Sequence, residues 1–177
     1  MKIGRRHLLA AAAAVAGAGV VGVGGTLVAW WDQPARAPLL HLSSAEIALF
    51  DALADAIFPE GGTPPLSGGD ANLSRYLDAV LAGMAPTQRS LFRVAMHGLD
   101  ALARVQAGGF LAELPSEEVA AVLRGWMTAG DPNLRGVAQS LHIFVCMAYL
   151  AHPEVQGVIA PQFKCGFGGQ RGGFGYL

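Results

Sequence analysis

The sequence predicts an all-α fold, a compact bundle of five to six helices, and three observations carry that prediction. Apolar residues beyond position 42 recur at i, i+3, i+4 and i+7, the spacing of one helix face. A capping residue or a proline precedes most of these runs, and glycine or proline follows them. No stretch alternates polar and apolar residues over the length of a strand.

Residues 1–37 come first and stand apart. Lys2, Arg5 and Arg6 form a positive head, an uncharged run of 24 residues extends from Leu8 to Trp31, and Ala35-Arg36-Ala37 closes the segment. Basic head, apolar run and A-x-A exit are the parts of an export signal. Arg5-Arg6 with His7-Leu8-Leu9 resembles the twin-arginine signal S/T-R-R-x-F-L-K, with Gly4, Leu8 and Ala10 in place of the Ser, Phe and Lys. A run rich in alanine and glycine is only mildly apolar, which suits that route. The route carries folded proteins, so the chain is expected to travel with a cofactor or a partner. A second reading keeps the segment as a membrane anchor. Its 24 residues span about 30 Å of hydrocarbon at 1.5 Å each, with Trp30-Trp31 at the far interface. Both readings put the rest of the chain outside the cytoplasm, on the periplasmic side of a bacterial inner membrane.

Residues 38–160 form the helical domain. Ser43 and Glu46 make a capping box, and Ile47, Phe50, Leu53, Ala54 and Ile57 follow at helical spacing until Pro59 and Gly61-Gly62. Leu73, Tyr76, Leu77, Val80, Leu81 and Met84 give a second stripe. Pro86-Thr87 opens a third helix, with Leu91, Phe92, Ala95, Leu99 and Leu102 expected inward and Gly108-Gly109 ending it. Pro115-Ser116 opens a fourth, whose first turn holds Glu117 and Glu118 where the helix dipole favours carboxylates. Asp131-Pro132 opens a fifth, because Asp caps and Pro fits the first helical position. Leu134, Val137, Leu141, Phe144, Val145 and Ala148 line it up to His152-Pro153.

Residues 161–177 form a tail of different composition. Gly166–Leu177 holds six glycines interleaved with Phe167, Phe174 and Tyr176. Fixing that much glycine costs more backbone entropy than fixing any other residue. The aromatic rings therefore suggest a tail ordered by docking on a partner. The other two readings are a tail folded over its own bundle and a tail without order.

Chemistry is sparse. After residue 37, eight Lys and Arg face twelve Asp and Glu, a net charge of −4, which leaves no basic face for nucleic acid. His41, His97, His142 and His152 have no metal-ligand spacing, and His97 with Asp100 reads as a helix-surface pair. There is no C-x-x-C-H for haem attachment, no G-x-S-x-G elbow, and Arg171 breaks the nucleotide-loop spacing of the tail glycines. No catalytic set, cofactor-binding set or metal site emerges. Cys146 and Cys165 are the only cysteines. An exported protein keeps disulfides, so three states are open: two free thiols, a mutual bond closing about twenty residues and worth ~3 kcal/mol, or a bond to a partner subunit.

The opening Leu42-Ser43-Ser44-Ala45-Glu46-Ile47-Ala48-Leu49-Phe50-Asp51-Ala52-Leu53-Ala54-Asp55-Ala56-Ile57-Phe58-Pro59 behind a twin-arginine-like leader resembles the gluconate 2-dehydrogenase subunit 3 family. Phe110-Leu111-Ala112-Glu113-Leu114-Pro115 and Tyr149-Leu150-Ala151-His152-Pro153-Glu154-Val155 fit the same pattern, so the resemblance covers roughly residues 1–160. It implies a non-catalytic small subunit that binds no cofactor itself. The implied partner is a FAD-containing large subunit of the glucose-methanol-choline type, joined in some complexes by a multihaem cytochrome c. The small subunit would carry the large one through the twin-arginine translocon and stabilise it in an electron-transfer complex at the membrane. Arg5 and Arg6 would be read by the translocon. Phe163, Phe167, Phe174 and Tyr176 are the expected partner anchors, since buried aromatics carry much of an interface's energy. The alternative is a stand-alone, membrane-tethered helical module that assists assembly or binds a ligand.

Overall fold

The computed structural model describes residues 33–162, and those residues are all-helical, with six α-helices and no strand. They are α1 (Ser44–Ile57), α2 (Ser74–Gly83), α3 (Pro86–Ala107), α4 (Ser116–Met127), α5 (Pro132–Ala151) and α6 (Pro153–Ile159). Single 3-10 turns at Leu111–Glu113 and Ala160–Gln162 complete the order.

The starts follow local chemistry. Glu46 accepts from the Ser43 N–H at 2.8 Å while Ser43 Oγ accepts from the Glu46 N–H, so the capping box of α1 is closed in both directions. Asp131 Oδ1 takes the Asn133 N–H at 2.7 Å, and Pro132 sits where its missing N–H costs nothing. Gly108 ends α3 at φ +84°, a left-handed cap that a β-carbon would strain. Pro153 stops α5 and starts α6, since it fits a first turn and breaks an interior one.

α1 lies at the centre. It packs against α4, α5 and the first 3-10 turn, with further contacts to α2 and α3. Leu49, Phe50, Leu53 and Ala54 are buried on it and meet Leu77 and Leu81 of α2, Met96 and Leu99 of α3, Leu123 and Trp126 of α4, and Leu141 and Val145 of α5. Each fully buried side chain of this size contributes about 1.5–3 kcal/mol.

The α1–α2 loop is bolted down. Phe58 stacks on Tyr149 with ring centroids 3.8 Å apart, and the Tyr149 hydroxyl donates to the Leu66 carbonyl at 2.6 Å. Gly68 donates to the Phe58 carbonyl and lies so close to α1 that a β-carbon there would overlap the Ala54 carbonyl.

Two expectations are corrected. Leu91 points outward, 42 % exposed, because the inward face of α3 runs through Met96, Leu99 and Ala103, which leaves Leu91 on the flank. His97 and Asp100 are not a surface pair: each is only 7 % exposed, drawn inside by partners on other elements.

Candidate functional site

Arg93 and His97 are one turn apart on α3, and both face Glu46 at the start of α1. Arg93 reaches the carboxylate through Nε and through Nη2, the latter at 3.1 Å, and His97 Nε2 lies 3.0 Å from Oε1. Glu46 is wholly buried. Burial by itself would raise its carboxyl, but the hydrogen bonds from His97, Arg93 and the Ser43 backbone, with the Arg93 charge, outweigh it and hold the group at about 2. Asp100 continues the cluster by accepting the Leu111 N–H at 2.8 Å. Its carboxyl is pushed up by burial, against the opposing Leu111 hydrogen bond and His97 charge. Three stretches of chain that are distant in sequence are thus locked to one another. These contacts tie α1, α3 and the first 3-10 turn to one another.

A second cluster secures the segment that precedes α1. Asp78 on α2, 7 % exposed, accepts the N–H groups of Leu40, His41 and Leu42 at 3.0, 2.8 and 3.1 Å. Arg89 on α3 braces the other side, donating to the Leu81 and Met84 carbonyls and lying 3.2 Å from His41 Nδ1.

Asp51 and Asp55 share a face of α1. Burial, and then the Asp55 charge, push the Asp51 carboxyl up to about 6, and one of its oxygens is buried without a partner. Asp55 instead caps the Gly69 N–H at 2.7 Å.

Among the described residues there is no group of three His, Cys, Asp or Glu side chains able to hold a metal ion. A shallow open depression lies between Ala56, Pro59 and the α4 residues Ser116, Glu117, Ala120 and Arg124. The outer face of α5 is apolar: Ile143, Met147 and Leu150 are each about half exposed, 55, 47 and 51 %, and lie on one stripe. α5 is also long and apolar enough to cross a membrane, and it packs on α1 and α4 along its inner side.

Of the residues singled out from sequence, Cys146 is described. It is half-buried on α5, beside that stripe, with Sγ 3.7 Å from His142 Nδ1 and its thiol pushed up by burial. Arg5, Arg6, Phe163, Cys165, Phe167, Phe174 and Tyr176 lie outside the described residues. Sequence reading missed the Glu46–Arg93–His97 cluster and the Asp78 clamp. Arg93, His97 and Asp100 on the flank of an apolar α3 stripe were the available signal, since charged side chains there need a buried partner.

The family model described as gluconate 2-dehydrogenase subunit 3 matches residues 44–169, well over half of the chain. No curated protein and no solved structure matches the chain.

Proposed function

The chain belongs to the gluconate 2-dehydrogenase subunit 3 family, and on that premise we propose that it is the non-catalytic small subunit of a flavin-dependent dehydrogenase complex. The match over residues 44–169 carries this reading. FAD resides on a glucose-methanol-choline-type large subunit, and where a multihaem cytochrome c is present it takes the electrons onward. This chain binds neither group. It escorts the large subunit through the twin-arginine translocon, with Arg5 and Arg6 as the residues read, and stabilises it at the periplasmic face of the inner membrane.

The architecture supports that role. Glu46, Asp78, Arg93 and Asp100 are spent on caps, clamps and ion pairs, which makes a rigid platform. The half-exposed Ile143, Met147 and Leu150 offer an apolar face for a large partner, and the aromatic tail residues Phe163, Phe167, Phe174 and Tyr176 are the further anchors. A bond from Cys146 or Cys165 to the partner would reinforce the pairing.

Replacing Arg5-Arg6 with Lys-Lys tests the escort role. The large subunit should then accumulate in the cytoplasm together with this chain. Normal export of both would contradict the role.

A further inference from the structure

A helix at the surface of a bundle ordinarily turns its polar side to water, and α3 does not. Leu91, Val94, Ala95, Gly98, Leu102 and Val105 recur at three- and four-residue steps, which puts them on one stripe. The stripe faces away from Met96, Leu99 and Ala103, the core side of the helix. All six residues are half-buried or exposed, Val105 reaching 67 %. None of them is charged, and the charged groups nearby point elsewhere. Arg93 and His97 turn inward to Glu46, Asp100 accepts the Leu111 N–H, and Arg104 lies over the Phe110 ring, 4.5 Å from its centroid.

The stripe also has a shape. Glycine inside a helix costs stability relative to alanine. Nothing in this chain's own packing requires it at position 98, since a β-carbon there would meet no atom within 4 Å. With Ala95 beside it, Gly98 forms a notch between Leu91 and Val94 at one end and Leu102 and Val105 at the other. We propose that this notch seats an α-helix of the large flavoprotein subunit, whose ridge of apolar side chains comes closest at Gly98. The identity of that occupant rests on the subunit reading above, whereas the site itself rests on α3.

Shape, area and charge favour that occupant over a second copy or a lipid surface. A second copy would set notch against notch and leave a gap where contact is needed. The stripe is also small for a pair of copies. At about 1.5 Å per residue along a helix about 10 Å wide, Leu91–Val105 offers a footprint of roughly 200 Å², against ~800 Å² per partner in a stable pair. A large subunit that also covers Ile143, Met147 and Leu150 of α5 gains further area. Lipid headgroups attract helices edged with Lys or Arg. On α3 those side chains are engaged: Arg89 with the Leu81 and Met84 carbonyls, Arg93 with Glu46 and Arg104 with Phe110.

The test isolates the full chain from its native envelope by an internal tag and reads two quantities: flavoprotein recovered per chain, and the chain's own thermal midpoint. Gly98→Leu fills the notch from this chain's side. Its midpoint should equal or exceed that of the wild type, because leucine is the better helix former. Recovered flavoprotein should fall by roughly tenfold or more. Val105→Glu, at a side chain 67 % exposed, should lower recovery in the same way without unfolding the chain, and it decides if Gly98→Leu does not fold. Wild-type recovery with a folded variant would overturn the docking site and leave the subunit reading standing. A wild-type chain that brings no flavoprotein would overturn the subunit reading and the named occupant together. Two further outcomes would assign the notch elsewhere and overturn the proposal. One is a wild-type dimer in light scattering that Gly98→Leu dissociates, which means a second copy. The other is flotation with phosphatidylglycerol vesicles that Val105→Glu abolishes, which means lipid.

Discussion

Single side chains set the acid limit of this fold. The Glu46 carboxyl lies at about 2 when folded and near 4.5 when free, so its stabilisation is complete above pH 4.5 and is lost as pH falls towards 2. Glu46→Ala should cost about 3 kcal/mol or more, because Arg93 and His97 would lose the charge they face, and a urea midpoint would measure it. Asp51 works in the opposite sense. Its carboxyl is raised to about 6, so the folded state holds a proton that the unfolded chain releases, and a penalty sets in as pH rises from about 4 through 6. Asp51→Asn should therefore raise the melting temperature at pH 7 and leave it nearly unchanged at pH 4. Equal effects at both values would contradict the assignment. The sequence shows the capping half of Glu46, since Ser43 and Glu46 are three residues apart. Its buried half is hidden there, because Arg93 and His97 are about fifty residues away and only the fold brings them together.

Helices are more legible than loops in this chain. Ser43, Pro86 and Asp131 each stand where a helix begins, because a cap or an N1 proline acts within its own turn, and Pro115 stands one residue before α4 without a capping bond of its own. Asp131→Ala should cost about 1 kcal/mol through loss of its bond to the Asn133 N–H, read as a shift in thermal midpoint. The α1–α2 loop is different. Two adjacent glycines, Gly68-Gly69, mark a break but not the contact that requires the first of them. Gly68→Ala should destabilise by more than about 2 kcal/mol, since the new β-carbon would meet the backbone of Ala54 rather than a side chain able to turn away. Retention of wild-type stability would mean that the loop does not lie against α1 in this way. Leu91 shows the limit of periodicity. It sits at helical spacing from Ala95, but a 22-residue helix drifts across the core, and its first turns present a different side.

At the scale of the whole molecule, the all-α class and the family were both readable, because amphipathic stripes and short helix-start patterns survive in sequence. The exposed apolar face of α5 was not, since exposure is a property of the assembled bundle. Ile143, Met147 and Leu150 belong to the same helix as the core residues Leu141 and Val145, and only packing separates the two sides. Met147→Glu should leave the unfolding free energy within about 0.5 kcal/mol of wild type while reducing the amount of large subunit recovered with the chain. Undiminished recovery would move the interface away from α5. The central claim, that this chain is the small subunit of a flavin dehydrogenase, is tested most directly by isolating it from its native envelope through an internal tag. Mass spectrometry and a visible absorbance scan would then read what comes with it. A stoichiometric flavoprotein and a flavin spectrum are the predicted result. A colourless chain recovered alone would contradict the claim and leave a tethered helical module in its place.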